Sequence, residues 1–141
     1  MAGRWRRRVM CVEMTSGGGR AQSLSNLVEQ WPGKIDVYRV KGIPIVRRLR
    51  ALDYMIDVTA RPYGSWNLAR AAVLHLPLIR CFVNPSLDDS EETPRPQFCS
   101  QAVASAYRAA GHDLVPNLCD RLTEPGDLAR SALLEYQFTL I

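Results

Sequence analysis

The chain has 141 residues, enough for one domain with a real core and too few for two. With 47% hydrophobic and 23% charged residues it has the balance of a folded globular chain, which excludes a disordered one. The net charge of +4 equals the charge on Arg4, Arg6, Arg7 and Arg8 alone, so residues 9–141 are neutral. The basic character is that of an N-terminal arm over 1–8, which argues against a specific nucleic-acid interface.

Residues 9–14 (VMCVEM) are β-prone, and Ser16-Gly17-Gly18-Gly19 is a turn signal leading to a return strand over 20–24. No Gly-Lys-Ser/Thr follows these glycines, which excludes a phosphate-binding loop. Ser25 is the expected cap of a short helix ending at Trp31, where Pro32-Gly33 stops it. Residues 35–40 (IDVYRV) alternate at period two and predict a third strand. After Pro44 the period becomes helical. Val46, Leu49, Leu52 and Ile56 line one face, with Arg47, Arg48 and Arg50 on the other.

Arg61-Pro62-Tyr63-Gly64 ends that helix, and a further one is expected from about 65 to 76, before Pro77. Residues 84–97 (NPSLDDSEETPRPQ) read as a polar surface loop with solvated acidic groups. Residues 98–110 form a helix of small residues closed by Gly111. Its narrow face of Ala102, Val103, Ala106 and Ala110 suits close packing on a sheet. Pro125-Gly126-Asp127 reads as a turn, and 138–141 (FTLI) as a β-prone end.

No metal or cofactor signature is present: Cys11, Cys81, Cys99 and Cys119 form no Cys-x-x-Cys pair. They read as reduced thiols of a cytoplasmic protein. The start lacks the apolar run of a secretory signal. The most apolar stretch, 68–83, contains Arg70, His75, Pro77 and Arg80, so no membrane span is expected.

Cys99 is the first chemical candidate. Pro94 and Pro96 preset an extended approach, and a helix opens at the cysteine. A thiol at a helix N-terminus faces unpaired N–H groups, which favour an anion there and can receive a developing oxyanion.

The stretch Phe98-Cys99-Ser100-Gln101-Ala102-Val103-Ala104, followed by Leu122-Thr123-Glu124-Pro125-Gly126-Asp127-Leu128, resembles the circularly permuted papain-like amidases, related to the NlpC-type cell-wall hydrolases. Arg61-Pro62-Tyr63-Gly64 and Val12-Glu13 resemble the middle and early parts of that family, so the resemblance covers roughly 9–141. It implies an α+β, permuted papain-like fold: a small antiparallel sheet from 9–14, 20–24 and 35–40, packed against a central nucleophile-bearing helix. It implies Cys99 as the nucleophile, Glu13 as the polar residue that orients a histidine, and Tyr63 and Ser100 on the substrate side. The substrate class is an amide or ester, including cell-wall peptides.

The family's histidine belongs on a His-x-Gly strand just before residue 9, where residues 1–8 hold none. His112 lies thirteen residues beyond Cys99 across one helix, about 20 Å at 1.5 Å per residue, out of reach of a base. His75 sits in an apolar helical stretch beside Pro77 and reads as a packing residue. The sequence therefore leaves two readings open. One is a cysteine hydrolase or acyltransferase impaired by the absent base; the other is an inactive binding or assembly module with assembly partners, such as a virion component.

Overall fold

The computed structural model describes residues 9–59, 61–65, 69, 72–73 and 96–140. Residues 1–8, most of the helix expected at 65–76 with His75, Cys81 and nearly all of the 84–97 loop lie outside them. The described residues form an α+β arrangement of two small antiparallel sheets and four helices.

Strands β1 (Met10–Thr15) and β2 (Gly18–Ser23) form the expected hairpin, with Glu13 opposite Arg20. Gly18 takes the turn with φ +106°, a conformation that side chains resist. Gly19 lies so close to the end of the second helix that a Cβ there would stand 2.5 Å from the Val58 carbonyl oxygen. The chain enters helix α1 (Leu24–Gln30) two residues earlier than expected. Ser23, rather than Ser25, is the cap, its hydroxyl accepting the Asn26 N–H at 3.2 Å.

Strand β3 (Ile35–Val40) does not extend the hairpin. It pairs with β4 (Leu134–Leu140), with Ile35 opposite Leu140 and Val40 opposite Leu134. The single three-stranded sheet is thus replaced by two separate two-stranded ones. The reason is local. Capping at Ser23 turns the chain into α1 and carries β3 away, while β4 offers a full strand of apolar and aromatic partners. Tyr38 and Tyr136 meet edge to face across the pair, 5.8 Å between ring centres.

Helix α2 (Ile45–Val58) packs on helix α3 (Cys99–Ala109), which runs through the centre of the fold. The alanine face of α3 meets both the hairpin and a helix: Ala102 packs on Met14 of β1, and Ala51 of α2 packs against Ala106 and Ala110, with Tyr54, Met55 and Tyr107 around them. Small side chains on both sides permit this close approach. The apolar face foreseen for α2 is the opposite one; Val46, Leu49, Leu52 and Ile56 are exposed, while Ala51 and Val58 are buried. Gly111, at φ +74°, closes α3 as expected.

A single 3₁₀ turn, Asp120–Leu122, precedes helix α4 (Pro125–Arg130), which starts where a turn was expected. Glu124 and Asp127 form a reciprocal capping box, the Asp127 carboxylate accepting the Glu124 N–H at 3.0 Å, and Pro125 takes the first helical position. Among the described residues no helix is long and apolar enough to cross a membrane.

Candidate functional site

The approach to Cys99 is fixed by one close backbone contact. Tyr63 and Gln97 form a parallel bridge, and the Gly64 N–H donates to the Gln97 carbonyl at 2.9 Å. A Cβ on Gly64 would stand 2.5 Å from the Pro96 carbonyl oxygen, so only glycine lets the two segments lie this near. Phe98 follows as the cap of α3, fully buried against Leu118, Cys119 and Leu122. Cys99 is the first helical residue and is half-buried, as the sequence predicts for its place at the helix N-terminus.

Tyr63 stands against it. It packs with Cys99 on the buried cluster of Met14, Val58 and Ala102. Burial, then the neighbouring Cys99 charge and hydrogen bond, push the Tyr63 hydroxyl above the ordinary phenol range. The tyrosine therefore stays a neutral hydroxyl beside the thiol.

Ser100 takes another part. It is buried, and its hydroxyl donates to the Thr123 carbonyl at 2.7 Å, tying the first turn of α3 to the segment before α4. Glu13 is held elsewhere. One of its carboxylate oxygens accepts from Arg20 Nε and Gln22 Nε2, both at 2.6 Å. Alternation along β1 explains this: Met14 turns into the core beside Val58 and Ala102, with Cys99 and Tyr63 packed on that cluster, so Glu13 points to the other face. There it faces Cys11, whose thiol is pushed up by burial and by the Glu13 charge. The structure brings Cys99 and Tyr63 together, sets Ser100 behind them, and keeps Glu13 apart.

Gln97 is a neighbour the sequence reading missed. Its Nε2 donates to the Tyr54 hydroxyl at 2.9 Å, and its Oε1 is buried without a hydrogen-bond partner. Its position two residues before the cysteine was the only available signal. His112 lies past the far end of α3, its N–H donating to the Tyr107 carbonyl. Among the described residues no histidine or carboxylate is hydrogen-bonded to Cys99, and no group of three histidine, cysteine or acidic side chains is placed to hold a metal. A cavity of about 490 Å³ lined by Leu114, Pro116, Arg130 and Leu133 is built from other parts of the chain.

The site thus offers a half-buried thiol at a helix start and a neutral hydroxyl against it. That pair can attack a carbonyl carbon and hydrogen-bond the oxygen on which charge develops. No family model, curated protein or solved structure matches the chain.

Proposed function

We propose that the chain is a cysteine acyl-transfer domain of the permuted papain-like kind, with Cys99 as the group that takes the acyl moiety. The observation that carries this reading is the packing of Tyr63 with Cys99 on one buried cluster at the first residue of α3. Substrates are amides or esters. Cys99 gives up its thiol proton to solvent, Sγ bonds to the acyl carbon, the carbonyl becomes an oxyanion, and its collapse breaks the bond to the leaving oxygen or nitrogen. Tyr63, packed with Cys99 on the same cluster, supplies a hydrogen bond to that oxyanion.

Proton transfer is the weak step. Glu13 is engaged by Arg20 and Gln22, and His112 lies past the far end of α3, so among the described residues no acid stands ready to protonate an amine leaving group. Losing general acid–base help costs about 10²–10⁴-fold. Activated esters, whose leaving groups need no proton, are therefore the expected substrates of the isolated chain. The lack of a hydrogen-bonded base at Cys99 among the described residues favours the second reading, an inactive binding or assembly module built on this fold.

Exposure to a nitrophenyl ester, followed by intact and peptide mass spectrometry, separates the two. The acyl-transfer reading expects one acyl group per chain, on Cys99, with Cys99→Ala unlabelled and amides almost untouched. An unreacted Cys99, or acylation mainly on another cysteine, would favour the inactive module. Robust amide hydrolysis abolished by His75→Ala would make His75 the base and replace the impaired-enzyme account.

A further inference from the structure

Helix α2 has two apolar sides, and the core uses only one. Ala51, Tyr54, Met55 and Val58 face α3 and the hairpin. Turned away from them are Ile45, Leu49, Leu52 and Ile56, which are 65%, 52%, 46% and 51% exposed. Their spacing of four, three and four residues is that of a two-heptad coiled-coil seam, two positions per heptad on one line. A helix apolar on both sides is ordinarily buried on both.

The charges beside the seam say what covers it. Arg48 and Asp53, both exposed, flank it on opposite sides, five residues apart. In a parallel pair of identical helices, a residue on one flank meets the partner's residue five positions later on the other flank. Arg48 of each copy then meets Asp53 of the other, giving two symmetric ion pairs. An antiparallel pair would instead set Arg48 against Met55 and Val46 against Asp53, with no charge match.

We propose that α2 is a self-association helix, and that two copies of this chain pair through it in parallel about a two-fold axis. The interface is isologous, so each copy contributes the same four aliphatic side chains and the same two charges. Two heptads make a short seam, and the association is correspondingly weak, in the micromolar range. The seam lies away from the side of α2 that packs near Tyr63, so association leaves Cys99 accessible and does not depend on its chemistry.

Sedimentation equilibrium on the full chain across micromolar concentrations tests this. The mass should rise from 15.8 kDa towards twice that value. Leu49→Asp, at an exposed position, should hold the chain monomeric while leaving its melting curve unchanged. Arg48→Asp or Asp53→Arg alone should each weaken association roughly tenfold, because two attractive pairs become repulsive. The double variant Arg48→Asp/Asp53→Arg should restore it, since the swapped pairs attract again. A chain that stays monomeric throughout, including one that instead sediments with anionic vesicles, overturns the proposal. So does a dimer indifferent to Leu49→Asp, or one the double variant does not rescue. Cys99 labelling, measured alongside, should be the same in all these variants.

Discussion

The close pass of residues 63–64 along 96–97 makes the candidate site sensitive to one methyl group. In Gly64→Ala the added Cβ would lie 2.5 Å from the Pro96 carbonyl oxygen and 2.8 Å from its carbon. Both are backbone atoms, so no side chain can swing aside. Relieving the contact requires the two segments to separate by more than half an ångström, which breaks the 2.9 Å bond from the Gly64 N–H to the Gln97 carbonyl. The lost bond costs about 1 kcal/mol, and the forced backbone shift about 1–3 kcal/mol. The smaller conformational freedom of alanine in the unfolded chain returns roughly 0.4–1 kcal/mol. The net loss is about 1–3.6 kcal/mol, a fall of roughly 3–18 °C in melting temperature for a domain of this size.

Gly17→Ala is the matched control. Its Cβ would meet only the Thr15 hydroxyl, at an ordinary 3.7 Å, so the melt should hold or rise slightly. Differential scanning fluorimetry reads both variants. The second readout is Cys99 itself, whose alkylation by iodoacetamide should quicken in Gly64→Ala as Tyr63 is drawn off the thiol. If Gly64→Ala melts with Gly17→Ala and leaves Cys99 labelling unchanged, the close approach does not hold the site.

Below neutrality Cys99 should be alkylated ahead of Cys11, whose thiol is pushed up by burial and Glu13, and ahead of buried Cys119; peptide mass spectrometry ranks them. Stability should fall at alkaline pH. The folded-state pKa values of Cys11, Tyr63 and Tyr107 are raised from ordinary values of 9.0, 10.0 and 10.0, so their contribution is full below those values and lost as pH climbs through the raised ones. Tyr63→Phe should flatten part of that alkaline decline, because it removes one of the raised groups. Ser100→Ala should cost about 1–3 kcal/mol by stranding the buried Thr123 carbonyl, read as a lower denaturant midpoint with an unchanged slope.

Local rules carried much of the fold. The hairpin needed only a β-prone run and its glycines, β3 announced itself by strict alternation, and α3 by its alanines and Gly111. Pairing was harder, because no local rule says that residues 35–40 prefer a strand a hundred residues away to the neighbouring hairpin. The face of α2 misled for a different reason. Its largest aliphatics define the stronger stripe, but α3 presents alanines at Ala106 and Ala110, and the backbones can approach only if the facing residue is equally small. Ala51 satisfies that condition and Leu49 or Leu52 does not. Shape at the crossing outweighed hydrophobicity.

The same competition decided the candidate site. Cys99 and Tyr63 were legible because each sits beside a residue with a fixed backbone preference, the prolines before the cysteine and Pro62-Gly64 around the tyrosine. Glu13 was placed by its likeness to a sequence pattern, and a pattern fixes position along a strand without fixing which face the core takes. Met14 and Glu13 compete for the side of β1 that meets α3, and burying a thioether there is favourable where burying a carboxylate is not. Glu13 consequently turns to Arg20 and Gln22, whose register opposite β1 was set by the hairpin turn. Freeing it would leave its two partners without their acceptor and would not move it to the face of Cys99. A substitution at Glu13 should therefore perturb the hairpin more than the reactivity of Cys99.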